Sequence, residues 1–312
     1  MKKIALVTGG AGFIGSHMVD LLVKEGLEVR IIDNLVGGRE QNLFQHIKNE
    51  NVKFEDKNIL DLKNNDKILN NLDYVFHFAG IGDIVPSIDR PLEYLNVNVQ
   101  GTANLLDCLR PCSSLKKFVY AASSSCYGLA KTPTSEEDDT NPLYPYALSK
   151  LLGEDCAFHW HQLFNLPVNS IRIFNAYGVR SRTNGTYGAM FGVFLKQKIE
   201  GKPFTVVGDG TQTRDFLYVT DVVDAFYKAA ISDINGEIFN LGANNPVSVN
   251  KIVSIIGGDR ISIPKRPGEP DCTWANISKI SKMLKWKPNV SIEQGIGKMI
   301  DDIDFWKEAP LW

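Results

Sequence analysis

Residues 8–15 read Thr-Gly-Gly-Ala-Gly-Phe-Ile-Gly, and residues 146–150 read Tyr-Ala-Leu-Ser-Lys. In the first stretch Gly9, Gly12 and Gly15 recur every third residue. A glycine turn of this kind permits a tight bend, a close backbone approach to a pyrophosphate, and close packing of the following helix, in that order. It also aims the N–H groups of that helix, starting at Phe13 and Ile14, at an anion. In the second stretch a phenol and an ammonium stand four residues apart, which places Tyr146 and Lys150 on one face of a helix. A neighbouring ammonium and a positively charged nicotinamide would lower the phenol's pKa and let it serve as a base. Together the two stretches imply hydride exchange with a nicotinamide dinucleotide.

The elements that must position these groups follow from periodicity. Ile4-Ala-Leu-Val7 is a short apolar run, as expected of a strand buried on both faces. Ser16 to Val23 is apolar at helical intervals and stops at Gly26. Strand, glycine turn and helix are the context this fingerprint requires. Val29-Arg-Ile-Ile32 reads as the next strand and ends at Asp33, about 20 residues past the turn, where a carboxylate accepts both ribose hydroxyls and repels a 2′-phosphate. NAD is therefore expected in preference to NADP. Further strand-like runs at 52–55, 74–78, 117–121 and 168–173 alternate with helical patterns. That alternation predicts an α/β fold, a doubly wound parallel sheet of the Rossmann type, with a smaller C-terminal substrate-binding lobe. The expected division is 1–174 plus 215–244 for the dinucleotide-binding domain and 175–214 plus 245–312 for the lobe.

Composition narrows the alternatives. The chain has 312 residues, 44% hydrophobic and 22% charged, which suits a large core. A formal charge of −2 offers no case for nucleic acid or an anionic membrane surface. No apolar run reaches transmembrane length. The chain enters a strand at once, so no signal peptide is expected. The five cysteines, at 108, 112, 126, 156 and 272, lack metal-ligand spacing and fit reduced thiols in a cytoplasm; no metal is expected. The acidic run 135–141 reads as a solvated loop.

The chain resembles the extended short-chain dehydrogenase/reductase family, and within it the nucleotide-sugar epimerases and dehydratases. The motifs run along nearly its whole length: residues 8–15, Asp33-Asn34, His77-Phe-Ala-Gly80, Asn98-Val-Gln-Gly-Thr102, Ser123-Ser-Ser-Cys-Tyr-Gly128, Tyr146 with Lys150, Arg172-Ile-Phe-Asn-Ala-Tyr-Gly178, Gly208 to Phe216, and Arg266-Pro-Gly-Glu269. The resemblance implies that Tyr146 takes the proton of the sugar 4-hydroxyl. Lys150 holds the nicotinamide ribose, Ser123 bonds the 4-oxygen, and a 4-keto sugar results. It places Asn34, Ala79, Gly80, Asn98 and Phe174 around the cofactor, with Asn58-Ile59 against adenine where the family usually has Asp-Ile. It assigns Ser87, Asn175, Arg214, Arg266 and Thr273 to the substrate, which is expected to be a UDP-sugar, GDP, CDP and dTDP remaining open. Gly80 and Val179 depart from the usual alanine and proline without removing a reacting group.

The fate of the keto sugar divides the expectations. An epimerase returns the hydride to the other face, whereas a 4,6-dehydratase needs a further acid and base. The familiar dehydratases carry Asp-Glu directly after the position of Ser123; here Ser124 and Ser125 stand there. The serine run instead resembles 4-epimerases of N-acetylated UDP-hexoses. Lys131, Glu136 and Glu137 remain as alternative proton donors or acceptors. Thr273, just before Trp274-Ala-Asn276, is small where a tyrosine accompanies plain hexoses, which leaves room for a 2-acetamido group. A non-catalytic NAD-binding regulator and an NADPH-dependent keto-sugar reductase are the other classes. By resemblance the assembly is a homodimer, pairing the helix after Tyr146 and the one near 93–109.

Overall fold

A computed structural model describes residues 2–181, 190–264, 270–302 and 306–307. The central sheet has seven strands. Six are β1 (Ile4–Thr8), β2 (Glu28–Asp33), β3 (Val52–Asp56), β4 (Tyr74–His77), β5 (Lys117–Ser123) and β6 (Val168–Ile173); the seventh is Glu237–Leu241. Their order is Glu237–Leu241, β6, β5, β4, β1, β2, β3. The pairs β1–β2, β2–β3, β1–β4 and β4–β5 are parallel. The sheet is thus the doubly wound Rossmann arrangement, and the periodicity places its strands to within a residue or two. Every residue of β4 and β6 is buried, as a parallel sheet covered on both faces requires. The order reverses between β1 and β4. Beyond the carboxyl ends of strands at such a switch point lies the crevice where open α/β sheets bind ligands.

Two compact units are distinguished. The first comprises Met1–Cys126, Pro142–Arg172 and Val223–Phe239; the second comprises Tyr127–Asn141, Ile173–Val222 and Asn240–Trp312. In the first, Leu6, Val75, Leu105, Leu109, Phe118 and Val168 belong to one core cluster. The helix Pro145–Phe164 starts with proline in its first turn, where the missing N–H costs nothing, and stops at Asn165 in the left-handed conformation. In the second unit, three two-stranded sheets recur: Asn175–Tyr177 with Phe216–Tyr218, Thr213–Arg214 with Val247–Ser248, and Phe204–Val207 with Arg260–Ile263.

One ion pair is buried within the first unit. Glu154 on the Pro145–Phe164 helix accepts Arg172 of β6 at 2.5 and 3.1 Å, and Ser170 donates to its other oxygen at 2.6 Å. Both charged residues are almost wholly shielded from water. Removing one partner strands a charge in low dielectric. Glu154→Leu is therefore expected to cost about 3–5 kcal/mol of stability by denaturant unfolding, and adding Arg172→Met should recover most of that loss. Equal instability of the single and double variants would contradict this account.

Candidate active site

The first unit brings the glycine turn, Asp33 and the Tyr146 helix to one sheet. Gly9 closes β1 with φ +69°, a conformation that disfavours any side chain. A Cβ on Gly15 would lie 2.1 Å from the Gly9 carbonyl oxygen. Residues 13–15 can therefore pass over the turn only without a side chain at 15. Gly12 is the cap of α1 (Phe13–Lys24), whose first turn holds the half-buried Phe13 and Ile14. First-turn N–H groups have no acceptor within their own helix. This is a cradle for a dinucleotide pyrophosphate, and the residues present fit one.

Asp33 ends β2 with its carboxylate between two backbone donors: Ala11 N–H at 2.9 Å on one oxygen and Leu35 N–H at 2.9 Å on the other. Burial pushes its pKa up, and the backbone donors pull the other way. Asn34 is exposed, and its side-chain oxygen accepts weakly from Val36 N–H at 3.4 Å. Asn58 caps a short turn by accepting Leu60 N–H at 3.0 Å, which leaves its NH2 as the outward donor. The Ile59 side chain belongs to the core.

Past β4, a chain of hydrogen bonds runs beneath the turn. Ala79 N–H donates to Thr8 Oγ1 at 3.3 Å, Thr8 meets His77 Nδ1 at 2.6 Å, and His77 Nε2 meets Thr102 Oγ1 at 2.9 Å. Thr102 donates to the Asn98 carbonyl at 2.7 Å. Because Thr102 spends its proton there, His77 must donate from Nε2 and accept at Nδ1. The imidazole stays neutral: burial first, then the Lys150 charge, pushes its pKa down to about 3. Asn98 sits in a π-helical turn, Asn96–Gln100. Its amide accepts Ile81 N–H at 2.8 Å and donates to Ile81 O at 3.0 Å and to Ser149 Oγ at 2.8 Å. A Cβ on Gly80 would sit 2.8 Å from the Asn98 side-chain oxygen and 3.9 Å from Lys150 Nζ, so the backbone at 80 passes close to both. Ser87 is buried and its hydroxyl donates to Ile84 O, closing a helical turn.

At the end of β5 the Ser123 and Ser125 hydroxyls lie 2.7 Å apart, and both favour ionisation of the Tyr146 phenol. Ser124 follows in the same turn, half-buried. Lys150, one helical turn past Tyr146, is 8% exposed. Burial pulls its pKa down to about 8, while Glu154 works to raise it. The Tyr146 pKa is raised, not lowered. Burial dominates; the two serines oppose it and Asp83 adds to it. Lys150 does not offset that burial, so the lowering expected from the helical spacing alone is not found.

In the second unit, Asn175 Nδ2 donates to Thr273 Oγ1 at 2.8 Å, and Thr273 N–H to Thr213 O at 3.1 Å. Arg214 is half-buried beside them in sequence, with one NH donating to Thr213 O at 2.9 Å. Phe174 N–H bonds Leu241 O at 3.0 Å. Asp215, buried, holds this segment together by accepting Ala275 N–H at 3.0 Å and the N–H groups of Asn244 and Asn245 at 3.2 Å. Arg266 lies outside the described residues. Sequence reasoning assigned no role to Asp215, His77, Tyr120 or Glu154. The first two lie in motifs it noted; the others carry no local signal.

Residues 5–242 match the model of the NAD dependent epimerase/dehydratase family. A UDP-glucuronate 4-epimerase of Thermodesulfobacterium geofontis is 34% identical over 95% of this chain and 94% of its own. A UDP-N-acetyl-alpha-D-glucosaminuronate decarboxylase of Bacillus cytotoxicus is also 34% identical, over 96% and 97%. Among solved structures, the UDP-N-acetylglucosamine 4-epimerase of Methanobrevibacter ruminantium, in complex with UDP-N-acetylmuramic acid, superposes with a TM-score of 0.91 at 31% identity, covering 96% of this chain and 98% of that one. The UDP-glucuronic acid 4-epimerase of Bacillus cereus, with UDP-glucuronic acid and NAD, gives 0.90 at 33% identity over 96% and 99%. The chain is thus an NAD-dependent enzyme, and it belongs to the NAD-dependent epimerase/dehydratase family.

Proposed function

We propose that this protein is a UDP-sugar 4-epimerase, acting through a transient 4-keto sugar. The observation that carries the reading is the Pro145–Phe164 helix, on which Tyr146 is followed one turn later by a buried Lys150, together with the paired Ser123 and Ser125 hydroxyls that favour ionisation of the phenol. In this reading Tyr146 takes and returns the proton of the sugar 4-hydroxyl. Ser123 and Ser125 hold the 4-oxygen and share its proton. Lys150 and Asp33 grip the two riboses of the cofactor, and the residues of the glycine turn with Asn34, Asn58, Ile59, Ala79, Gly80, Asn98 and Phe174 complete its surroundings. NAD, when bound, supplies the hydride acceptor and a positive charge that favours the phenolate. In the second unit, Asn175, Arg214 and Arg266 would hold the nucleotide pyrophosphate, with guanidinium forks matched to phosphate oxygens. Ser87 and Thr273 would border the sugar.

Epimerisation is favoured over 4,6-dehydration by the residues directly after Ser123. Neither Ser124 nor Ser125 is a carboxylic acid. Two of the three alternative groups on the following loop are engaged, Lys131 with Asp138 at 3.0 Å and Glu136 with Asn240 N–H at 2.7 Å, while Glu137 remains as the third. The short Thr273 side chain supports a substrate with a 2-acetamido group. The fitting experiment offers UDP-GlcNAc, UDP-glucose and UDP-glucuronate to the NAD-loaded protein and follows the sugar by NMR. The expected product is the C4 epimer, UDP-GalNAc from UDP-GlcNAc. Tyr146→Phe should reduce kcat by about 10²–10⁴-fold with NAD content unchanged. A new 6-methyl signal, or loss of the C6 carboxylate, would overturn the epimerase reading.

Asp33 supports the choice of NAD and makes binding pH-dependent. Ribose hydroxyls donate to the ionised carboxylate, whereas burial favours the protonated one. Binding therefore releases a proton near the raised pKa of Asp33. NAD affinity, by titration calorimetry on cofactor-stripped protein, is expected to fall as pH drops through the range just above the ordinary carboxylate value. Asp33→Asn should weaken binding and abolish that dependence; a pH dependence unchanged in Asp33→Asn would refute the assignment.

The same reading makes the protein a cytoplasmic homodimer. On the first unit, Ile88, Leu92, Leu148 and Leu163 are exposed, Leu92 by 78%, on the short helices at 84–95 and on the Pro145–Phe164 helix, whereas Leu105, Leu106 and Leu109 of the stretch 93–109, expected to pair, are buried in the core. Water-facing leucines on adjoining helices suit a partner helix pair from a second copy. Light scattering should give twice the chain mass. Leu92→Asp combined with Leu148→Asp should yield monomers, and a wild-type monomer at micromolar concentration would exclude the pairing.

A further inference from the structure

Lys150 is buried, yet the reaction needs its ammonium charged, and the structure shows which groups stand against it. Its Nζ lies 4.5 Å from the centroid of the Tyr120 ring. Tyr120 is wholly buried at the centre of β5. Its ring packs at 5.7 Å from the neutral His77 imidazole, and its hydroxyl donates to the Lys150 main-chain carbonyl at 3.2 Å. One aromatic side chain therefore touches both ends of the lysine: the backbone through its hydroxyl and the ammonium through its face. The negative face of an aromatic ring attracts a cation, most strongly where water is excluded.

We propose that the ring face of Tyr120 is a positioning element of the active site, acting through Lys150: it keeps the ammonium charged and fixed where bulk water cannot. The inference rests on reading Lys150 as a member of the reacting set. The ionisable groups that face Lys150 are few. Glu154 lies one turn further along the same helix, already held by Arg172 and Ser170. Tyr146 lies one turn back on that helix. From the sheet come the Tyr120 ring itself and His77 of β4, uncharged above about pH 3. Glu154 is thus the sole full negative charge among these, and it is shared with a guanidinium. The ring supplies the remaining attraction without bringing a second carboxylate that could compete for the proton.

The test separates the ring from the hydroxyl. Tyr120→Phe keeps the face and loses the hydroxyl, whereas Tyr120→Leu loses both. Loss of the face lowers the Lys150 pKa, so activity that needs the charged lysine should fail at lower pH. The alkaline limb of kcat is expected to move down by about one pH unit in Tyr120→Leu, about a tenfold loss at a fixed pH on that limb, and to stay put in Tyr120→Phe. Should Tyr120→Leu fail to fold, phenylalanines with one, two and three ring fluorines at position 120 weaken the face stepwise at nearly constant shape. The limb should then descend in order with fluorine number. The Lys150 pKa is also read without turnover, by NMR titration of the NAD-loaded protein carrying a ¹³Cε lysine label, with the Lys150 signal assigned by its loss in Lys150→Arg. Absent epimerase turnover would sink the functional reading while this titration still decides on Tyr120. A Lys150 pKa flat across the fluorinated series, or one that shifts as much in Tyr120→Phe as in Tyr120→Leu, would overturn the proposal.

Discussion

The cost of burying one ammonium is the constraint around which the polar interior of the first unit is arranged. Lys150 has left water almost completely. Desolvation alone would neutralise it, and its pKa has already come down to about 8. Three neighbours stand around it. Glu154 stands one helical turn away and is itself held in place by Arg172 and Ser170. The Tyr120 ring lies beneath the Nζ. His77, which as a cation would repel Lys150, is kept neutral by its own burial and by that same lysine. The charge on Lys150 and the neutrality of His77 are thus linked.

The hydrogen-bond chain from Ala79 through Thr8, His77 and Thr102 to Asn98 has a single direction, because each hydroxyl accepts at one end and donates at the other. Such chains polarise and strengthen one another. This one ties the end of β1, where the glycine turn begins, to the π-helical turn whose Asn98 amide braces Ser149, a neighbour of Lys150. The cradle and the reacting helix are therefore coupled by fixed dipoles.

Much of the fold was legible because its signals are local. Short, largely apolar runs became β1, β2 and β4, and the glycine spacing became the turn, since strand burial and backbone clash act over a few residues. The helical spacing of Tyr146 and Lys150 was equally readable. The state of the phenol was not: spacing suggested an ammonium that lowers its pKa, while burial raises it. Desolvation depends on everything packed around a group. Asp215 was unreadable for a similar reason, since its partners at 244, 245 and 275 are distant in sequence.

By itself, the sequence determined the parallel α/β sheet, the glycine turn, the carboxylate at the end of β2 and the helical spacing of the phenol and the ammonium. All of these follow from backbone sterics and helical or strand period within short windows. Only the tertiary structure decided the tautomer of His77, the ring beneath Lys150, the clamp on Glu154 and the direction of each pKa shift. Charge and hydrogen bonding act through space, and their strength is set by how thoroughly folding removes water from groups far apart along the chain.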